Sequence, residues 1–98
     1  MASSTIKNTY FIARQMTKNI TVTAGSRTTV TLDMPSDMND YKCIGLSDMG
    51  FSGTNAEYIV PRGWGISNGS RHVTLPITSL ASSSITCQAY AYGIFIPK

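Results

Sequence analysis

A period of two in the apolar positions is the feature that most constrains how this chain can fold. In residues 20–24 and 28–32, Ile, Val and Leu alternate with Thr at every second position, and similar alternation continues to the end of the chain. A β-strand turns successive side chains to opposite faces, whereas a helix repeats every 3.6 residues or so. The chain is therefore predicted to be all-β.

The composition favours the same fold class. Twelve serines and twelve threonines stand among 98 residues, and only 13% of the chain is charged. Ser competes for backbone hydrogen bonds inside helices, and the β-branched Thr loses rotamer freedom there. A chain of this length supports one core, so residues 1–98 are predicted to form a single domain and a two-domain enzyme is excluded.

Turn-forming residues divide the alternating sequence into short strands about 8 to 12 residues apart, which is typical of an antiparallel β-sandwich. Residues 20–32 are predicted to form a hairpin around Gly25. Further strands are predicted at residues 41–47, 57–60, 71–77 and 85–96. Within the 71–77 strand, Pro76 indicates an edge strand or a bulge, because proline has no N–H to donate.

The N-terminal residues have two interpretations. Residues 1–17 are predicted to form an N-terminal strand or arm. Residues 7–16 fit a strand with Tyr10 and Ile12 on one face, and residues 11–16 also fit a short helix. The strand is favoured.

The closing run, residues 85–96, is apolar on both faces. One face carries Ile85, Cys87, Ala89, Ala91, Gly93 and Phe95, and the other includes Tyr90, Tyr92 and Ile94. Such a strand lies either at the centre of the sandwich or at a subunit interface. Tyr90, Tyr92 and Ile94 are therefore predicted to lie in a contact between copies of the chain.

Charge and hydropathy exclude two classes of partner. The net charge is +3, but no two of the eight Lys and Arg residues are adjacent, so nucleic-acid binding is not predicted. No apolar stretch reaches the roughly 18 residues that a membrane-spanning helix needs, so no membrane insertion is expected. The N-terminus lacks the basic and apolar regions of a signal peptide, which indicates synthesis in the cytoplasm with both cysteines reduced and buried.

No catalytic site is predicted, and neither a metal nor a cofactor is expected. The chain has one histidine and five acidic residues, most of them beside turns. Cys43 and His72 form the one conceivable nucleophile and base. Cys43 lies in an alternating apolar run, which does not lower a thiol pKa, so the pair is rejected and the chain is predicted not to be an enzyme.

Recognition is the remaining class of function. The candidate binding residues lie in the turn-rich segments 51–55 and 62–68, and they are Phe51, Asn55, Arg62, Trp64 and Asn68. Aromatic and guanidinium side chains carry much of the energy of binding, and loops on rigid sheets present them well. In the alternative, Phe51 and Trp64 only cap the ends of the core.

The order of these pieces resembles the C-terminal head domains of bacteriophage tail-fibre and receptor-binding proteins. The resemblance covers about residues 18–98, and residues 1–17 have no counterpart in it. The matching pieces are an alternating Thr/Val hairpin, an apolar Ile-Gly strand, a Gly/Ser/Asn loop, a middle strand, a Ser-rich turn and a closing alternating strand, at residues 20–32, 41–46, 50–55, 57–60, 79–84 and 85–98.

The resemblance implies a jelly-roll-like β-sandwich that forms a homotrimer in the virion and presents loops to the host surface for attachment. The implied partners are copies of itself, other virion proteins, and a bacterial surface glycan or protein. A small structural or decoration protein of the particle is a variant of the same interpretation. The alternative is a free carbohydrate-binding, lectin-like β-sandwich module.

Overall fold

The computed structural model describes residues 11–98, which form two antiparallel β-sheets around one core. In chain order its strands are β1 (Ile12–Val22), β2 (Arg27–Asp33), β3 (Tyr41–Ser52), β4 (Ile59–Pro61), β5 (Gly65–Ser67), β6 (His72–Ser79) and β7 (Ile85–Pro97). Short 3₁₀ turns at Ser36–Met38 and Ala56–Tyr58 precede β3 and β4. No helix in this part of the chain is long and apolar enough to cross a membrane.

The predicted antiparallel β-sandwich is confirmed. The first sheet, sheet A, has the strand order β1-β7-β3, and the second, sheet B, has β2-β6-β4 with β5 also paired to β6. Alternation along each strand turns one set of apolar side chains into the space between the sheets. Completely buried there are Leu32, Val73, Leu75, Ile77, Ala89, Ala91 and Phe95. The finer jelly-roll assignment stays a prediction.

Strand β7 lies at the centre of sheet A, between β1 and β3. Its residues alternate between buried and more exposed positions along the whole strand. The predicted inner set, from Ile85 to Phe95, faces the core. Of the two placements expected for this strand, the central one is thus confirmed, and its role in a subunit interface stays a prediction.

The prediction that residues 20–24 and 28–32 pair with each other as a hairpin is wrong. β1 pairs with β7 and β2 pairs with β6, so the turn at Gly25 carries the chain from one sheet to the other. The turn itself is as expected, since Gly25 has a φ of 63° and the Ser26 hydroxyl donates to the Thr23 carbonyl over 2.7 Å. Alternation determines which face of a strand is buried, but it does not choose the neighbouring strand.

The N-terminal strand is longer than predicted. β1 runs without interruption over Ile12–Val22, so the strand expected at residues 20–24 is its final part. The helix considered for residues 11–16 is wrong, and the part of the predicted strand at residues 7–10 lies outside the described residues. Pairing with the long β7 extends the strand through polar positions that have weak strand preference of their own.

Pro76 lies in the central strand of sheet B, so the prediction of an edge strand is wrong. In an antiparallel strand the N–H and C=O of one residue point to the same neighbour. The Pro76 carbonyl accepts a hydrogen bond from the Arg62 N–H over 2.8 Å, at the gap between β4 and β5. The N–H that proline lacks would therefore point to the place where the neighbouring strand is interrupted.

The turn-rich segment at residues 62–68 also contains the short β5.

β3 continues beyond its predicted end. It extends to Ser52, with irregularities between Cys43 and Gly45 and between Leu46 and Asp48. The glycines of residues 48–53 indicated a loop, but the ladder with β7 overrides that local preference. At residues 57–60, only Ile59 and Val60 are in a strand, because the chain first makes a 3₁₀ turn.

Both cysteines are free, and both are buried as predicted. Cys43 is opposite Phe95 in the ladder, and Cys87 lies eight positions earlier on β7, roughly 26 Å along the strand. That separation keeps the two thiols from forming a disulfide in this fold. Burial raises the pKa of both thiols, which keeps them protonated and unreactive near neutral pH.

Two cations on the inner face of edge strand β1 tie the open side of the sandwich together. The Arg14 guanidinium donates to both carboxylate oxygens of Asp37 over 2.8 and 3.0 Å. The Lys18 ammonium donates to the Thr31 carbonyl over 3.3 Å. Inward-facing charges on an edge strand also discourage pairing with a foreign strand.

The Arg14–Asp37 pair leads to a pH prediction. Hydrogen bonding from Arg14 holds the pKa of Asp37 below its ordinary value of 3.8. A carboxyl with a depressed folded-state pKa contributes stability above its unfolded pKa, and that contribution is lost as the pH falls through the folded pKa. Titration of the Asp37 carboxyl by NMR is expected to give a pKa below 3.8 in the parent, and a higher one in Arg14→Gln. Lys18→Gln, which removes a cation that does not contact Asp37, is the control, and an equal effect of both variants would contradict the assignment.

Candidate functional site

The recognition residues predicted from the sequence do not converge on one site. Asn55 lies at the end of the sandwich where Ile59 pairs with Ser79, and Asn68 lies at the opposite end, where Ser67 pairs with His72. The eight residues of β6 separate these ends by roughly 25 Å. Arg62 and Trp64 lie between them, along the interrupted β4–β5 edge of sheet B. Any single small ligand can contact only one of these groups.

Asn68 has a structural role at the edge of sheet A. Its amide oxygen accepts from the Cys43 N–H over 2.8 Å, and its amide nitrogen donates to the Cys43 carbonyl over 3.0 Å. The side chain thus takes the place of a neighbouring strand beside the first irregularity of β3. Nearby, the Arg71 guanidinium donates to the carbonyls of Tyr41 and Pro35, each over 3.1 Å.

The two aromatic candidates differ in their surroundings. Phe51 lies within β3, opposite Ala89, and packs against the core, so its position supports the core-capping alternative. Trp64 is 49% exposed on the edge of sheet B. Arg62 is also exposed. Trp64 and Arg62 are therefore accessible to a partner, and their part in binding stays a prediction.

The rejected catalytic pair does not meet in the fold. Cys43 points into the core from sheet A, whereas His72 lies on the outer face of sheet B, paired with Asp33. One carboxylate oxygen of Asp33 lies 2.9 Å from the His72 Nδ1, but the two groups are not aligned for a hydrogen bond. The contact is at most a weak surface ion pair. Among residues 11–98, no three His, Cys, Asp or Glu side chains come together as metal ligands.

A groove opens at the end of the sandwich that carries Asn55. Its volume is about 340 Å³, and it is lined by Asn55, Tyr58, Leu80, Ala81, Ser82 and Ser83. Tyr58 is 46% exposed and Leu80 is 67% exposed, so both side chains are accessible to a ligand. The groove therefore combines an exposed aromatic ring and an exposed aliphatic side chain with an amide and two hydroxyls.

The groove has two walls, residues 55–58 and residues 80–83, and hydrogen bonds of the backbone fix each wall and join the two. The Leu80 N–H donates to the Tyr58 carbonyl over 2.9 Å, and the Tyr58 N–H donates to the Asn55 carbonyl over 3.1 Å. On the other wall, the Ala81 N–H donates to the hydroxyl of the buried Ser79 over 3.2 Å. The lining side chains are thus carried on a backbone that is anchored to β4 and β6.

Of the six residues that line this groove, only Asn55 was predicted from the sequence as a binding residue. Leu80, Ala81, Ser82 and Ser83 belong to a segment predicted only as a Ser-rich turn. The signal available in the sequence was a leucine within that polar turn, which no core position explains. Its neighbour could not be identified, because the proximity of Tyr58 depends on the pairing of β4 with β6.

The outer surface of sheet A is a second candidate. It carries the closing-strand face, which we define as Tyr90, Tyr92, Ile94 and Ile96, all half-buried in the single chain. The two tyrosine rings meet edge to face, with centroids 6.4 Å apart. Tyr90 also lies over Gly50, where a Cβ would come within 2.5 Å of its hydroxyl oxygen. The absence of a side chain at Gly50 therefore lets Tyr90 lie flat on the sheet.

The two outer faces of the sandwich differ in chemistry. On sheet B, the outward positions at the centre pair Thr31 with Thr74 and Thr29 with Pro76. On sheet A, the corresponding central positions are the tyrosines and isoleucines of the closing-strand face. The contrast is between a surface of threonines that water solvates well and one of large apolar side chains.

Comparison with known proteins identifies no family: no family model, no curated protein and no solved structure matches the chain. The surfaces that bear on function are therefore the groove, the β4–β5 edge and the closing-strand face.

Proposed function

We propose that this chain is a non-enzymatic bacteriophage virion protein, a trimeric tail-fibre or receptor-binding head domain that contacts the host cell surface. The observation that carries the proposal is the difference between the two outer faces of the sandwich. Large apolar side chains grouped along the centre of one outer face are typical of a surface that contacts another protein. A trimer would cover them.

The dimensions of sheet A suit an interface between copies. β7 has 13 residues, which at about 3.3 Å each is roughly 43 Å, and three strands span roughly 14 Å. The flat area is therefore roughly 600 Å², of the same order as the 800 Å² or so that each partner contributes to a stable interface. Beside the closing-strand face, β3 places Lys42 opposite Ile96 and Asp48 opposite Tyr92. Lys42 and Asp48 thus place a cation and an anion at different points of the sheet, so unlike parts of it can meet between neighbouring copies, as the heterologous contact of a trimer requires.

Self-association through sheet A would leave the other surfaces free for a receptor. Sheet B, with Arg62 and Trp64 along its edge, would face away from the contact. The groove at the end of the sandwich would also stay open. This arrangement supports attachment through the loops and the β4–β5 edge, with the rest of the particle held by other virion proteins. A structural or decoration role in the particle would use the same contact without a receptor.

The groove favours a second candidate function. An exposed aromatic ring beside an amide and hydroxyls suits a sugar, so a free carbohydrate-binding, lectin-like module is the alternative. The two candidates differ in their solution mass. The alternative requires no contact between copies.

Light scattering of the purified protein tests the proposal. We expect a mass three times the 10.6 kDa of the chain, unchanged on dilution, and binding of the protein to cells of a susceptible bacterium. The burial of a large apolar face makes such an assembly resistant to dilution. A single-chain mass at all concentrations would contradict the virion proposal and favour the free module. Turnover of a glycan or ester, abolished by one polar substitution, would overturn its non-enzymatic character.

A further inference from the structure

We infer that the groove formed by Asn55, Tyr58, Leu80, Ala81, Ser82 and Ser83 binds one neutral pyranose unit. The inference rests on the proposed function only in taking the sugar from a bacterial surface glycan. It names a ligand class and a site that lie apart from Arg62 and Trp64.

The lining matches the two kinds of surface that a pyranose presents. A pyranose has an apolar face of C–H groups and a rim of hydroxyls. The exposed Tyr58 ring and Leu80 side chain supply an apolar surface, 46% and 67% exposed respectively, for the first. The Asn55 amide and the hydroxyls of Ser82 and Ser83 supply donors and acceptors for the second.

These polar groups are available to a ligand. Among residues 11–98, no hydrogen bond engages the side chains of Asn55, Ser82 or Ser83, whereas the amide of Asn68 is fully engaged with Cys43. The two asparagines thus differ in a way that the sequence does not show. Asn68 closes a strand edge, and Asn55 lines the groove with an amide that makes no hydrogen bond to the described residues.

The volume of the groove limits the ligand to a short one. Small-molecule sites generally range from about 300 to 1,000 Å³, and this groove, at about 340 Å³, is near the lower limit. It therefore accommodates a single sugar ring with its substituents. Since the groove is open to solvent, the ring can be one unit of a longer glycan that continues outside it.

The lining carries no charged side chain. An anionic sugar or a phosphate would lose hydration there without gaining a cation as partner. The groove is thus expected to prefer neutral pyranosides to uronates and sugar phosphates. Its anchored backbone reduces the ordering cost of binding, so a weak but specific interaction in the millimolar range is expected.

The test is an NMR titration of the intact chain with methyl glucopyranoside, galactopyranoside and mannopyranoside, and with glucuronate as the charged comparison. We expect amide shift changes at Asn55, Tyr58, Ser82 and Ser83 with at least one neutral glycoside, and none there with glucuronate. Tyr58→Ala is expected to weaken binding by about tenfold or more. Phe11→Ala is the matched control, because Phe11 is 50% exposed and lies outside the groove.

A second variant keeps the test valid even if Tyr58→Ala does not fold. Asn55 has a φ of 65°, which glycine adopts without strain, so Asn55→Gly removes the amide and keeps the turn. It is expected to weaken glycoside binding while the melting temperature stays near that of the parent. Unchanged affinity in both groove variants, or the absence of shifts at the groove with every neutral glycoside, would overturn the inference.

The same samples separate this inference from the proposed function. Parent protein that is trimeric and adsorbs to bacteria, but shows no glycoside shifts at the groove, would refute the groove and leave the virion proposal standing. Glycoside binding at the groove by a single-chain protein that does not adsorb to bacteria would keep the groove and refute the virion proposal.

Discussion

Tyr92→Lys is expected to convert the proposed trimer into folded single chains. Tyr92 is on the outer face of β7 and lies outside the core between the two sheets. Asp48 is its direct neighbour on β3 and can pair with the new ammonium group in the separated chain. Between copies, by contrast, the substitution removes apolar contact and adds a strongly hydrated charge.

The size of the effect follows from the area lost. Completing the burial of a tyrosine that its own chain already covers in large part is worth about 1 kcal/mol per subunit. Three subunits then lose about 3 kcal/mol, roughly two orders of magnitude in the trimer dissociation constant. Light scattering over a dilution series measures this loss, and circular dichroism checks the fold.

Thr74→Lys is the matched control for this experiment. Thr74 occupies a comparable outward position on the central strand of sheet B, and the proposed interface does not include it. It is expected to keep the mass of the parent. If Tyr92→Lys also keeps that mass, the closing-strand face is not the contact between copies.

Leu75→Ala is expected to cost a large share of the folding free energy. Leu75 is 0% exposed on β6, the central strand of sheet B, where its side chain faces the core. Truncation of a buried leucine destabilises by about 2–5 kcal/mol, because the transfer free energy is lost and a cavity is left. For a domain of this size that loss lowers the melting temperature by roughly 10 °C or more.

Leu80→Ala is the matched control, since it makes the same change at a residue that is 67% exposed. Its effect is expected to stay within about 0.5 kcal/mol. Urea unfolding at one fixed protein concentration measures both variants, because the stability of an oligomer depends on concentration. Similar losses for the two leucines would mean that the side of β6 facing the core has been assigned wrongly.

The fold class and the buried faces follow from local sequence pattern. The alternation in β7 separates Ala89, Ala91 and Phe95 from Tyr90 and Tyr92 before any neighbour is known. It does so because the side-chain period of a strand is two, whatever the strand pairs with. For the same reason the alternation separates Val22, Val30 and Leu32 from the threonines between them, although the hairpin predicted for these residues was wrong.

Neighbours and exposure were decided by the tertiary structure. Gly25 marks a turn in the sequence, but only the packing of two sheets determines that this turn crosses between them. Pro76 indicates an edge when it is considered alone, and it is tolerated at the centre of sheet B because the chain opposite it is interrupted. A missing donor matters only if a partner faces it, and that partner is more than ten residues away in sequence.

The candidate sites were likewise predicted in part from local sequence and decided in part by the tertiary structure. The sequence alone indicated tyrosines on one side of the closing strand and recognition residues in turns, because those inferences need only residue type and period. Which of the turn residues share a surface depends on long-range pairing: β4 beside β6 brings Tyr58 next to Leu80, and the position of Asn68 beside Cys43 commits its amide to the fold. Proximity across many residues of sequence is produced by the packing of the whole chain, and no local pattern encodes it.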